Sequence, residues 1–190
     1  MFEVIINFVF YILIAFYVVF DIYKEYSELS FRSLFIIVFS LEHFIITFIF
    51  AFFLDKFPSI NDPQRFYNVA LESETWFSLF NLGNSSISFF IYPFVQLELK
   101  IETLFFLFST IGWKGFMLLF KNVNVKINYR NVLILLFFLI PSIHLWTSSL
   151  SKEPLLLFFM SLIIVSFKDD FIVNKNVIIC LLYTSPSPRD

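Results

Sequence analysis

The sequence predicts an all-α protein, a polytopic bundle of transmembrane helices. The first observation is composition: 59% of the residues are hydrophobic, whereas soluble domains are roughly half apolar. The second is a series of long apolar runs, several close to the roughly 20 residues that cross a bilayer. Short polar stretches separate these runs, and they predict the loops that connect the helices.

Composition also excludes several classes of function. Only three glycines are present, which excludes a glycine-rich phosphate-binding loop. The net charge of −2 argues against a nucleic-acid partner. A single cysteine excludes both a disulfide framework and a cysteine-based zinc site.

The first two spans are predicted at about 2–20 and 33–54, on either side of a polar loop, Asp21–Arg32. The first run has Glu3 at its start and lacks the basic flank and cleavage site of a secretory signal, so we interpret it as a retained helix.

An outer loop is predicted over about 55–100. Within it, apolar residues at helical spacing predict an amphipathic helix at the membrane surface, at Phe66, Val69, Ala70, Trp76 and Phe77. The segment Ile87–Leu99 is short and contains Pro93, which favours a re-entrant or interfacial segment over a kinked span.

Further spans are predicted at about 101–120 and 132–150, with a return segment at about 154–167 and a final apolar run beginning at Val177. Basic residues favour cytoplasmic loops. They concentrate in three of the loops, as Lys24, Arg32, Lys121, Lys126, Arg130, Lys168 and Lys175. This bias places the N-terminus, the 55–100 loop and the Thr147–Pro154 turn on the outer face, and we expect a multi-pass protein of the bacterial cytoplasmic membrane.

The last eleven residues, "CLLYTSPSPRD" (Cys180–Asp190), resemble a translated sequencing adapter of the transposase type in every position. We therefore exclude this tail from fold reasoning. The resulting expectation is a non-native Cys180 and a chain that represents the N-terminal part of a longer membrane domain.

The first candidate site lies in "NDPQRFYNVALESE" (Asn61–Glu74), with catalytic candidates Asp62, Glu72 and Glu74. A carboxylate in a partly dry site at the membrane surface can accept a proton from a sugar hydroxyl. Arg65 can bind a phosphate through two hydrogen bonds, with Tyr67 beside it. The competing interpretation is a solvated surface helix that begins at Asp62.

The second candidate site is "LIPSIHLWTSSLSKEP", where Pro141 interrupts an apolar run. Its candidates for substrate binding are His144, Trp146, Lys152 and Glu153. Together with the serine-rich turn they can hold a lipid-linked diphosphate. The competing interpretation is a tryptophan anchor at the interface, a snorkelling lysine and an ordinary turn.

Polar residues within the spans form a third group. Glu42 and His43 lie near the middle of the second span, where an ionisable side chain is costly and indicates a functional site. The candidate polar partners of the pair are His144 and Ser40. The alternative to a functional site is a buried structural hydrogen bond between helices. Gly112 and Gly115 in the 101–120 span predict close contact with another helix. No metal site is predicted from the sequence.

The two outer motifs resemble those of bacterial envelope glycosyltransferases and polysaccharide-polymerase-like membrane proteins. The first match is an acidic residue, a tyrosine and a small residue, here Asp62, Tyr67 and Ala70. The second match consists of Pro141, Ser142, Trp146, Thr147, Ser148, Lys152 and Glu153.

The resemblance implies sugar transfer or polymerisation from an undecaprenyl-type lipid carrier at the outer face. It implies Asp62 as the catalytic base, with Arg65 and Lys152 on the donor phosphates. The second carboxylate of such enzymes is matched only by Glu72 and Glu74, which leaves the use of a divalent metal open. Two other classes stay open as well: a transporter or flippase centred on Glu42 and His43, and a membrane scaffold without enzymatic activity.

Overall fold

A computed structural model describes residues 2–25, 31–53, 62–80, 86–122 and 136–168. Within these ranges the chain is helical and contains no strand, which confirms the all-α class. The helices are α1 (Phe2–Glu25), α2 (Phe31–Phe53), α3 (Asp62–Glu72), α4 (Ser86–Gln96), α5 (Ile101–Asn122), α6 (Pro141–Thr147) and α7 (Lys152–Lys168), with a 3-10 helix at Trp76–Leu79. Several predicted features lie outside the described residues. They are the first part of the outer loop (54–61), the inner loop over 123–131, the start of the predicted 132–150 span (132–135), the apolar run at Val177 and the tail at Cys180–Asp190.

Among the residues that the structure describes, three helices, α1, α2 and α5, are long and apolar enough to cross a membrane. They contain 24, 23 and 22 residues, and at about 1.5 Å per residue each covers the roughly 30 Å hydrocarbon layer. α1 and α2 extend into the predicted Asp21–Arg32 loop, because a helix that leaves the hydrocarbon layer need not stop at its edge. The chain is therefore a membrane protein with several transmembrane helices.

Side-chain contacts fix the relative directions of these three helices. Asn7 and Asp21 of α1 contact Lys100 and Lys114 respectively, so α1 and α5 run parallel. In α2, Arg32 donates to the carbonyl of Phe120, whereas Thr47 contacts Ser109. α2 is therefore antiparallel to α5, and the end of α2 lies at the same end of the bundle as the beginning of α5.

The segment between α2 and α5 stays at that end of the bundle. α4 has 11 residues with Pro93 inside it, and at about 1.5 Å per residue it is too short to cross. Because α1 and α5 are parallel, a single crossing by α4 is excluded. After α4 the chain turns at Glu98, whose φ of 61° is left-handed, and the Nδ2 of Asn7 donates to its carbonyl at 3.1 Å. Of the two interpretations of Ile87–Leu99, the structure therefore favours a short segment that does not cross over a kinked span.

The predicted span over 132–150 is not one helix. Ile140 is extended, Pro141 begins α6, and α6 ends after seven residues at Thr147. Proline cannot donate the backbone hydrogen bond that would continue a preceding helix, which explains the break. α6 and α7 are bent by 97° relative to each other.

The α6–α7 pair enters the bundle and returns to the same end. Phe138 stacks edge-on against Phe120, near the end of α5. The carbonyl of Thr147 lies against Gly112 at the middle of α5, beside Pro154, and Phe158 follows against Gly115. α7 therefore runs parallel to α5 and ends where α5 ends. The Thr147–Pro154 turn, expected on the outer face, lies instead beside the middle of a membrane-crossing helix.

Two of the three glycines make this return possible. A Cβ built on Gly112 would lie 2.2 Å from the Thr147 carbonyl oxygen, and one on Gly115 would lie 3.1 Å from the backbone of Phe158. Only glycine allows backbones to approach this closely. The predicted helix contact at these two positions is confirmed.

Candidate functional site

The surface helix α3 carries the first set of predicted residues. Arg65 Nη2 lies 3.8 Å from Asp62 Oδ1, and the two side chains are 62% and 66% exposed. An exposed ion pair of this kind contributes little to stability. Glu72 and Glu74 are also exposed. The structure therefore leaves the carboxylate and the guanidinium side by side and accessible to a ligand.

Contacts on the opposite face fix α3 to the end of the bundle. Phe66 and Ala70 are buried, and Ser88 of α4 donates to the carbonyl of Phe66 at 3.1 Å. The Tyr67 hydroxyl donates to the carbonyl of Leu99 at 3.1 Å. Burial, with smaller effects from the carboxylates of Glu102 and Glu3, raises the pKa of Tyr67 and so keeps its phenol protonated as a donor. Tyr67, predicted to bind substrate, connects α3 to the start of α5.

The second set of predicted residues is divided between different surroundings. His144 is fully buried and Trp146 is 61% exposed. Lys152 and Glu153 are partly buried in the first turn of α7, beside the Pro154 contact with Gly112. α3 is attached near the start of α5, about 17 Å along the helix from Gly112 at 1.5 Å per residue. Arg65 and Lys152, which the resemblance assigns to the donor phosphates, therefore lie at different levels of the bundle, and their joint role stays a prediction.

Two hydroxyl groups of the "TSSLS" turn, those of Thr147 and Ser149, bond to the backbone of the re-entrant pair. Thr147 Oγ1 donates to the Ile143 carbonyl at 2.8 Å, and Ser149 Oγ to the Trp146 carbonyl at 3.1 Å. Ser149 and Ser151 also share a hydrogen bond of 2.6 Å. Where a helix ends at membrane depth, its free carbonyls need such partners because lipid offers none. The hydroxyls of Thr147 and Ser149 therefore have a structural role, and the predicted contact of this turn with a diphosphate stays a prediction.

The third set converges on a buried histidine pair. Glu42 is the central residue of α2, and His43 follows it. His43 Nδ1 lies 3.0 Å from Nδ1 of His144 on α6, and His43 Nε2 lies 3.1 Å from the carbonyl oxygen of Ser109 on α5. Both rings have no solvent exposure. Of the two partners considered for His43, His144 is the one that contacts it.

Further polar side chains surround this pair. Thr47 Oγ1 donates to the carbonyl of His43 at 2.8 Å and lies 2.6 Å from Ser109 Oγ. One turn before His43, Ser40 Oγ accepts a 2.8 Å hydrogen bond from the indole of Trp113. Thr47, Ser109 and Trp113 were not identified from the sequence. The sequence signal for them is their spacing. Ser109 and Trp113 are four residues apart on α5, as Thr47 and His43 are on α2, and residues at that spacing lie on one helix face.

One side of the pair remains incompletely bonded. His144 Nε2 lies 3.6 Å from Glu42 Oε2, beyond hydrogen-bond distance. His144 Nε2 and the hydroxyl of Ser148 are both buried and have no hydrogen-bond partner among the described residues. The Glu42 side chain is 24% exposed, so its carboxylate is the open end of the cluster. Buried polar atoms without partners are rare in proteins and indicate a function or a bound water.

An apolar cavity of about 370 Å³ lies between α1, α5 and α7. Tyr17, Thr110 and Lys114 contribute the polar atoms of its wall. Lys114 Nζ lies 2.6 Å from Asp21 Oδ1, so the charge on this wall is neutralised by α1.

No group of three or more His, Cys, Asp or Glu side chains is arranged to hold a metal ion in the part of the chain that the structure describes. No protein-family model, curated protein or solved structure matches the chain.

Proposed function

We propose that the chain acts in glycosyl transfer or polysaccharide polymerisation from a lipid-linked sugar donor, at the outer face of the cytoplasmic membrane. One observation carries the proposal: α3 is fixed to the end of a transmembrane bundle and presents Asp62 and Arg65 together, both exposed. The motif resemblance at Asp62, Tyr67 and Ala70 points to the same chemistry.

Each of the two side chains has a role in such a reaction. The Asp62 carboxylate accepts the proton of an acceptor hydroxyl, whose oxygen then forms a bond to the anomeric carbon of the donor. The bond from that carbon to the diphosphate oxygen breaks, and the lipid diphosphate leaves with the electron pair. Arg65 binds the leaving diphosphate through its planar guanidinium.

The cavity beside α1 supports a lipid-linked substrate. Its wall consists largely of apolar side chains, among them Phe10, Leu13 and Ile111. It lies below the end of the bundle that carries α3, because Phe10 is one turn from Asn7 at that end. A polyprenyl chain in this cavity would keep its diphosphate near the surface helix.

Substitutions on α3 test the proposal. Cells that lack the gene are complemented with each variant, and the length and amount of their surface polysaccharide are measured on gels. We expect Asp62→Asn to lower polymer synthesis about 100-fold or more, since general-base catalysis contributes about 10²–10⁴-fold. Arg65→Gln should also reduce it, whereas Gln64→Ala, an exposed change on the same helix, should not. Normal polymer from Asp62→Asn at normal membrane levels would refute the proposal.

The buried histidine pair favours a second candidate, a proton-coupled transporter or flippase for envelope polysaccharide. Ionisable groups at membrane depth are common in proton pathways. For this function Glu42→Gln abolishes movement of the lipid-linked sugar across the membrane, and Asp62→Asn leaves it intact. The opposite pattern supports the transferase.

A further inference from the structure

We infer that Glu42 and His144 hold one exchangeable proton between them at the centre of the bundle, with His43 as the fixed end of the hydrogen-bonded chain. This proton site does not depend on whether the chain is a transferase or a transporter. It rests on the donor and acceptor roles that the observed distances require.

The contact of His43 with α5 fixes the protonation of its ring. His43 Nε2 lies 3.1 Å from the carbonyl oxygen of Ser109. A carbonyl oxygen can only accept a hydrogen bond, so Nε2 must carry a proton. The ring is fully buried, and a buried cation without a charged partner is strongly unfavourable. His43 is therefore neutral, and its Nδ1 is a bare acceptor.

The contact between the two rings then fixes one proton on His144. The Nδ1 atoms of His43 and His144 are 3.0 Å apart. Because Nδ1 of His43 is the acceptor, Nδ1 of His144 must be the donor. If the His144 ring is neutral, its single proton is thereby committed, and its Nε2 presents a lone pair toward Glu42.

His144 Nε2 and Glu42 Oε2 face each other across a gap of 3.6 Å, and one more proton would let the two groups bond. An ionised carboxylate and a bare ring nitrogen would face each other there as two acceptors, which is unfavourable in a buried site. One proton removes the conflict. It resides either on the carboxylic acid, which donates to Nε2, or on Nε2, which as part of an imidazolium donates to the carboxylate. The remaining distance is closed by a small side-chain movement or a bridging water.

Apart from His43, the cluster's neighbours carry no charge: Ser109 and Trp113 on α5, and the ring of Phe39 beside His144. The backbone carbonyl of Phe138 also faces the His144 ring and can accept a hydrogen bond from it. Lys114 is engaged by Asp21 at the α1 side of α5. Lys152 and Glu153 at the start of α7 are the charged side chains that follow His144 most closely along the chain.

Histidine NMR tests the inference directly, because the chain contains only two histidines. The full chain is labelled with ¹⁵N-histidine and studied in lipid nanodiscs near neutral pH, with His144→Asn used for assignment. We expect His43 to carry its proton at Nε2 and His144 to carry one at Nδ1, the less common tautomer. Infrared spectra of the same sample report whether Glu42 is a carboxylic acid.

Each result decides the question. A carboxylic-acid band that disappears in Glu42→Gln, or a His144 ring protonated at both nitrogens, supports the shared proton. In Glu42→Gln the amide N–H can donate to Nε2, so His144 should remain neutral with its Nδ1 proton. Glu153→Gln should leave both signals unchanged. A neutral His144 protonated at Nε2 in the wild type, or an ionised Glu42 beside a neutral His144, would overturn the inference.

Discussion

Replacement of Gly112 by alanine should loosen the re-entrant pair from α5. The added Cβ would lie 2.2 Å from the Thr147 carbonyl oxygen, whereas ordinary contacts begin near 3.4 Å, so the backbones must separate by about 1 Å. Overpacking of this kind costs about 1–3 kcal/mol. That cost corresponds to a roughly 5- to 150-fold rise in the population of the open pair, at about 1.4 kcal/mol per tenfold.

Hydrogen exchange followed by mass spectrometry measures this opening. We expect the amides of α6 and α7 to exchange faster in Gly112→Ala by roughly that factor, while α1 keeps its protection. Gly115→Ala should have a smaller effect because its nearest contacts are at 3.1 Å. Leu34→Ala, on an exposed face of α2, serves as the control for a lipid-facing change. Unchanged exchange in α6 and α7 of Gly112→Ala would contradict the close packing of these helices.

Three further substitutions should lower thermal stability in detergent, measured by the loss of monodisperse protein on heating. Lys114→Met leaves the partly buried Asp21 unpaired and should lower stability by about 1–3 kcal/mol. Adding Asp21→Asn should restore part of this loss, and no recovery would argue against the ion pair. Trp113→Phe loses the hydrogen bond to Ser40 and some packing volume, at about 1–2 kcal/mol, and Ser40→Ala should add little once it is present. Asn7→Leu removes the bonds that join the start of α1 to the turn before α5, at about 1–3 kcal/mol, and a stability equal to that of the wild type would contradict their role.

The sequence predicted the membrane class and three of the long helices because these depend on local hydrophobicity. Apolar runs of the right length, such as Phe31–Phe53, form helices wherever they meet lipid. Whether residues 136–168 cross the membrane does not depend on local hydrophobicity. Hydropathy cannot distinguish a run that crosses from one that enters and returns, and here the contacts of Gly112 and Phe138 with α5 decide it.

The candidate site was predictable only in part for a similar reason. Glu42 and His43 were identified because charge at membrane depth is visible in one segment. Their partner His144 is 101 residues away from His43 in the chain, and only the re-entrant pair brings it into contact. Asp62 and Arg65 are three residues apart, so the sequence alone places them side by side on one helix. Lys152, which the resemblance assigns to the same donor phosphates, lies at a different level of the bundle, and that role stays a prediction.

Cysteine accessibility at Ser151 tests most directly whether the α6–α7 pair re-enters the bundle. Single cysteines are introduced in a Cys180→Ser background at Ser151, at Glu74 on the surface region after α3, and at Lys24 near the end of α1. Intact membrane vesicles are then treated with a membrane-impermeant maleimide from each side. We expect Glu74→Cys and Lys24→Cys to react from opposite sides, and Ser151→Cys to react from neither until the protein is denatured. Reaction of Ser151→Cys from the same side as Glu74→Cys would show that the chain crosses the membrane there and would contradict the re-entrant arrangement.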